Sequence, residues 1–238
     1  AHTIRVWEQR YSFLRPQRTE TNIRYYSNEE LKTILNVALL TRYGFKISHI
    51  DRMSPEEISQ KLMLLNDTQA QQERMVNELV KSMVDLDIAH FEEALDRFIS
   101  TRGIDKTINQ LIFPFLEKIG ILWQTNHVIP AQEHLVSNLI RQKLIVGIDK
   151  AGSSLRLDRQ YLLFLPEGEY HELGILYVYY LLKSRGASVI YLGANVPLKD
   201  VEFVVRHKKP DEIYSHITCT HTLPKVEKFM AQLHQSCP

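Results

Sequence analysis

Cysteine is nearly missing from this chain. Cys219 and Cys237 are the only two in 238 residues; they have neither metal-ligand spacing nor companions enough for a disulfide framework. A reducing, cytoplasmic setting is therefore expected. No apolar run approaches the ~20 residues needed to cross a bilayer, and the N-terminus has no signal-peptide core. Nine glycines and nine prolines are too few for a low-complexity or linker-dominated chain. A formal net charge of +1 says little for the molecule as a whole. No Ser/His/Asp nucleophile arrangement, phosphate loop or zinc cluster is present. What remains is a 44% hydrophobic chain, long enough for two or three small domains.

The small net charge hides a local bias. Within residues 1–26, Arg5, Arg10, Arg15, Arg18 and Arg24 face only Glu8 and Glu20, which points to a polyanionic partner. Residues 3–11 (TIRVWEQRY) place Ile4, Trp7 and Tyr11 about one helical turn apart, burying one stripe and leaving Arg5 and Arg10 outside. Pro16 ends that helix, and residues 18–26 alternate as a short hairpin does. Ser27 with Glu29 and Glu30, and Ser54 with Pro55, read as the starts of two further helices, with another helix beginning near Phe45. Helix, hairpin, helix, helix is the order of a winged helix-turn-helix. Residues 69–81 read as a polar connecting helix.

From Asp85 to Gly147 the apolar spacing is helical. Phe91, Leu95, Phe98, Ile99, Ile108, Leu111, Ile112, Phe115, Leu116, Leu135, Leu139 and Leu144 form the expected core of four antiparallel helices, with Gly103 and Gly120 marking ends. Beyond it, residues 161–165 (YLLFL) form a continuous apolar run ended by Pro166 and Gly168, as in a buried parallel strand. Helix 173–185, strand 188–192, helix 198–206, strand 212–219 and a last helix over 223–235 complete an α/β pattern. Such sheets bind ligands beyond the carboxyl ends of their strands.

Two spaced motifs carry chemistry. Trp123, Glu133 and His134 stand as W-x9-E-H, where the last helix of the bundle begins. Glu169, His171 and Gly174 stand as E-x-H-x-x-G, just after the first strand of the α/β segment. An imidazole that ligates a metal must be neutral and held in one tautomer by an acceptor on its other nitrogen; Glu169 lies two residues from His171. Gly174 lets backbone come close to a ligand.

The head resembles the MerR family of transcription regulators, through its T-x-R-x-W-E-x-R run, its R-x-Y wing and its paired-helix cap. The resemblance implies DNA contacts by Arg5, Arg10, Arg18, Arg24 and Tyr25, arginine being suited to both guanine edges and phosphates. E-x-H-x-x-G is similar to the D-x-H-x-x-G of cobalamin-binding Rossmann domains, with Glu in place of Asp. In the usual serine position near the third strand stand Ser215, Thr218 and Thr220, with Thr218 taken as the cofactor contact. The whole module order resembles the adenosylcobalamin-dependent photoreceptor repressors of the CarH and LitR type. That resemblance implies cobalt ligation by His171 below and an upper face lined by Trp123, Glu133 and His134. It also implies a dark tetramer, or at least a dimer, that represses an operator, and its dissolution when light breaks the cobalt–carbon bond. The histidine that follows the motif tryptophan in that pattern is Gln124 here, with His127 nearby.

The expected fold is thus multidomain: an all-α winged helix-turn-helix head (1–70), a helical linker (71–84), a four-helix bundle (85–152) and an α/β Rossmann-like, flavodoxin-like cobalamin-binding domain (153–238). By the resemblance, both chain ends fall short of the full pattern. Two alternatives stay open: a corrinoid-carrying methyltransferase subunit, or a cobalamin sensor without photochemistry.

Overall fold

The protein is described by a computed structural model covering residues 2–65, 67–124, 128–153, 156–218 and 223–236. Two compact units divide within one long helix, the first comprising residues 1–136 and the second 137–238.

The first unit opens with α1 (His2–Arg10), followed by a two-stranded antiparallel wing, β1 (Gln17–Arg18) and β2 (Arg24–Tyr25), and then α2 (Asn28–Arg42), α3 (Ile47–Ile50) and α4 (Pro55–Met63). Ser27 and Ser54 each close a full capping box with Glu30 and Glu57, satisfying first-turn N–H groups that would otherwise be orphaned. Trp7, Leu14, Val37, Leu40, Ile50 and Leu62 form the core of this head, with Ile4 and Tyr11 packed against it. The head is therefore helical with a β wing.

α5 (Thr68–Val84), α6 (Ile88–Thr107), α7 (Phe113–Gln124) and α8 (Pro130–Lys150) follow. The stretch 71–84, expected as a helical linker, is helical and belongs to α5. That helix buries Val76, Leu79, Val80, Met83 and Val84 and packs on α2, α6 and α7. Its polar face masks an apolar stripe, so it is structural to the bundle. Polar side chains also cross these contacts: buried Asn77 on α5 donates to the Leu35 carbonyl of α2 (3.4 Å) and accepts from Lys118 of α7, Lys81 of α5 donates to Asn36 of α2 (2.7 Å), and Lys32 of α2 pairs with Asp85 (2.6 Å). Burial lowers the pKa of both Lys81 and Lys118.

Gly103 breaks α6 at φ 79° and ψ 166°, and a π-helical turn, Ile108–Ile112, leads into α7. Gly120, expected to end a helix, lies inside α7 with open space around it. Of the expected core, Phe91, Leu95, Ile108, Leu111, Ile112, Phe115, Leu139 and Leu144 are buried, whereas Leu135 is exposed.

In the second unit, β3 (Gln160–Pro166) is the central strand of a parallel sheet of order β4-β3-β5, with β4 (Ser188–Val196) and β5 (Glu212–Ser215) on either side. Crossovers run through α9 (Leu173–Ser184) and α10 (Leu198–Lys208), and α11 (Leu223–Ser236) closes the described chain. Successive β3 side chains point to opposite faces. Leu163 and Leu165 pack against α9, while Leu162 and Phe164 pack against α10 and α11. Helices thus cover both faces of the sheet. β5 ends at Ser215, four residues short of the expected strand end at 219. Beyond it the Thr218 N–H turns to the Glu169 carboxylate and so cannot extend the ladder.

The conformation at Gly103 belongs to glycine alone, and no neighbouring atom obstructs a Cβ there. Gly103→Ala should therefore lower unfolding stability by about 1–3 kcal/mol from backbone strain, measured by urea denaturation of the full chain. An unchanged midpoint would show that this backbone is not constrained.

Candidate cobalamin and DNA sites

Glu169 follows the Pro166 end of β3, and its side chain is 0% exposed. Burying a carboxylate is costly unless donors converge on it, and here they do. Oε1 accepts from the N–H groups of Tyr170 and His171 (both 3.0 Å) and contacts the His171 Nδ1 at 2.5 Å. Oε2 accepts from the Thr218 N–H at 2.8 Å and its hydroxyl at 3.0 Å. Burial alone pushes this carboxyl pKa up. The bonds from Thr218 and His171 outweigh it and hold the group at about 2, against an ordinary 4.5.

An ionised carboxylate only accepts, so the hydrogen of the neutral His171 ring is assigned to Nδ1. Thr218 Oγ1, 2.9 Å from the same nitrogen, completes the hold. Nε2 is left with its lone pair, on a side chain that is 59% exposed. This is the arrangement of a metal-ligating imidazole whose tautomer is fixed by a carboxylate. Loop 167–172 is pinned from β4 as well: Asn195 donates its N–H to the Glu169 carbonyl (3.1 Å) and accepts from the Gly168 N–H (2.9 Å).

Gly174 has a specific neighbour. A Cβ there would meet His216 Cε1 at 3.1 Å, and His216 Nε2 lies 3.2 Å from the His171 carbonyl. The glycine thus admits the His216 ring against the start of α9. Ser215, an alternative to Thr218, has a buried hydroxyl without a hydrogen-bond partner among the described residues. Thr220, Cys219, Cys237 and His127 lie outside the described residues, as does the side chain of Gln124.

Trp123 sits in the last turn of α7, 44% exposed. Glu133 ends the first turn of α8 and His134 begins the second, with His134 Nδ1 3.0 Å from Glu133 Oε2. Gln132 anchors that turn: its amide donates to the Val84 carbonyl at the end of α5 (2.9 Å) and accepts from the Ile129 N–H (3.0 Å). Ile121, Ile129 and Leu135 also stand exposed in this stretch, an unusual density of large apolar side chains facing water. In the second unit a pocket of about 200 Å³, lined by Pro166, Val196, Leu198, Ile217 and Phe229, opens at the carboxyl ends of the strands.

In the head, Arg5 and Arg10 are exposed on α1. The wing arginines converge on Glu8 of the same helix: Arg24 Nε lies 2.7 Å from Oε2, and Arg18 3.6 Å from Oε1. Arg18 also donates to Asn22 (2.7 Å), and the Tyr25 hydroxyl donates to Gln17. Glu8, Gln132, Asn195 and His216 were missed by sequence reasoning. Their partners lie far along the chain, and only E-x-H-x-x-G hinted that His171 needed company. Among the described residues no group of three or more His, Cys, Asp or Glu could hold a metal ion by itself, and no helix is long and apolar enough to cross a membrane.

Residues 1–57 match the MerR HTH family regulatory protein, and residues 75–146 match the B12 binding domain. Head and bundle together define a cobalamin-dependent transcription regulator, not an enzyme. The chain is 26% identical over 242 residues to the HTH-type transcriptional repressor CarH of Myxococcus xanthus, spanning 99% of this chain and 80% of that protein. With the HTH-type transcriptional repressor CarA of the same organism it shares 31% identity over 213 residues, 89% of this chain and 69% of that one. The chain belongs to this family of MerR-type repressors with a B12-binding domain. Among solved structures, the monomethylamine corrinoid protein of Methanosarcina barkeri superposes with a TM-score of 0.52 at 17% identity, over 69% of this chain and 79% of that one. That is a likeness of fold alone.

Because Glu169 is held at about 2 against 4.5, its contribution to stability is complete above the higher value and is lost as pH falls toward the lower one. It amounts to at most about 3 kcal/mol. Glu169→Gln removes that charge and turns an amide N–H toward the Thr218 donors. Urea midpoints of wild type and variant from about pH 5 downward should converge as acid is added; parallel curves would show that Glu169 is not the titrating group.

Proposed function

We propose that this protein is a light-responsive repressor that takes up adenosylcobalamin and releases operator DNA when illuminated. The observation that carries this is the His171 ring, fixed through Nδ1 by a fully buried carboxylate and open at Nε2. His171 would hold cobalt, with Glu169 and Thr218 keeping its tautomer and Gly174 admitting the His216 ring that meets the His171 carbonyl. Trp123, Glu133 and His134 would face the adenosyl group, where the exposed apolar side chains around them lose their contact with water. Arg5 and Arg10 on α1, with Arg18, Arg24 and Tyr25 in the wing, would contact double-stranded operator DNA. Glu8 holds the wing arginines against the helix that bears Arg5 and Arg10. When bound, the cofactor supplies a cobalt–carbon bond that visible light cleaves. The chain's own part is to hold the histidine, cover the adenosyl side and exclude water from it. The proposed dark state is a homo-oligomer, a tetramer by the resemblance.

A second reading, a cobalamin sensor without photochemistry, is favoured by one feature: Gln124 stands after Trp123, where the photoreceptor pattern has a histidine. Full-length protein mixed with adenosylcobalamin in darkness should give a base-off spectrum and an assembly that shrinks in size exclusion after green light. Binding without a change in size would select the second reading, and absence of binding would remove both. His171→Ala should weaken cobalamin retention at least about tenfold and leave DNA affinity near wild type. Arg5→Ala should do the reverse and reduce the salt dependence of DNA binding. Equal losses in both assays would rule out separate sites.

A further inference from the structure

Glu172 lies next to His171, and nothing in the motif reading gave it a role. Its carboxylate is 17% exposed and is divided between two elements. Oε2 accepts from Arg141 Nε of α8 at 2.8 Å, and Oε1 accepts from the Tyr191 hydroxyl of β4 at 2.8 Å. Burial first, and then the Glu172 carboxylate, raise the Tyr191 phenol well above its ordinary pKa, so it remains a donor at any working pH. β4 accommodates the carboxylate where its pairing with β3 slips: Tyr191 pairs with Leu163 and Gly193 with Phe164. At Gly193, with φ 86°, a Cβ would stand 3.9 Å from Glu172 Oε1. Glu172 also precedes α9 without capping it by its side chain. Its carboxylate is given to the two outer partners instead.

Arg141 has a position of its own on α8. His134, Asn138 and Arg141 follow one another at i, i+4 and i+7, so they share one face of the helix, and all three are exposed. Arg141 thus reaches the histidine loop from an exposed face of α8, within the same unit as that loop.

We propose that Arg141, Glu172 and Tyr191 form a positioning triad that sets the His171 loop against α8 and β4. The proposal rests on His171 being the cobalt ligand. Glu169 and Thr218 fix the orientation of the ring, while the triad fixes the backbone that carries it. An ordinary surface ion pair would contribute little. This one has a mostly buried carboxylate with a second, phenolic donor, one residue from the ligand, and removing either partner leaves the other poorly satisfied.

The test uses full-length protein and adenosylcobalamin in darkness, with Glu172→Gln, Tyr191→Phe, Arg141→Ala and Arg141→Lys. Glu172→Gln and Tyr191→Phe should each raise the Kd about 3- to 10-fold, less than loss of a group bonded directly to the ligand. At saturation they should also leave part of the bound cobalamin without its histidine ligand, read from the absorption spectrum. Arg141→Lys should recover most of the loss seen in Arg141→Ala. The double variant Arg141→Ala with Glu172→Gln should lose less than the two singles combined. Amide hydrogen exchange on the cofactor-free protein gives an independent reading: the Tyr170 and His171 N–H groups should exchange faster in the triad variants. Wild-type affinity, complete histidine ligation and unchanged exchange in every variant would overturn the triad. If wild type takes up no cobalamin, His171 as ligand fails, and the exchange rates still decide whether the triad holds the loop.

Discussion

A carboxylate taken wholly out of water needs several donors at once, and the geometry of the second unit follows from supplying them to Glu169. Two donors are the backbone amides of the residues that follow it, which bends the chain tightly after β3. Two more come from Thr218, so the chain after β5 leaves the ladder and turns inward. The last is the His171 ring, whose tautomer is thereby fixed. A loop held by so many bonds is allowed few alternatives and presents Nε2 in one direction. Pre-organisation of this kind lowers the ordering cost that a ligand must otherwise meet on binding.

The first unit solves a different problem with related means. Head and bundle are joined through α5, and the contact with α2 is apolar only in part. Asn77 is buried and serves α2 and α7 together. Lys81 and Lys32 add bonds on either side. Polar groups buried in this way accept few alternative packings, because any shift leaves a donor unmet. α7, which receives the Lys118 end of this network, also carries Trp123 in its last turn.

How much of this is legible in the sequence depends on the range of the interactions. The capping serines, the wing, the apolar β3 run and E-x-H-x-x-G are local, and each stands where the residues point. Thr218 is forty-nine positions from Glu169, and its neighbours Ser215 and Thr220 looked equally suitable, so only the fold separates them. α5 read as a linker because Gln71, Gln72, Glu73, Arg74, Glu78 and Lys81 dominate its composition and hide the stripe at Val76, Leu79, Val80 and Met83. Gly120 looked like punctuation, but a glycine ends a helix only where the backbone needs it to. Gly103, at a positive φ, meets that need. Glu8 read simply as a negative charge among arginines; pairing across sixteen residues with Arg24 made it the hinge between α1 and the wing.

The brace between α2 and α5 has a consequence for how two copies of this chain would read a repeated operator. A head hung on a flexible tether samples a range of distances and tolerates half-sites at several separations. A head clamped to its bundle by Asn77, Lys81 and Lys32 has no such slack. In an assembly of two copies on DNA, the distance between their α1 helices would then follow from how the bundles assemble, and with it the permitted spacing of the DNA repeats.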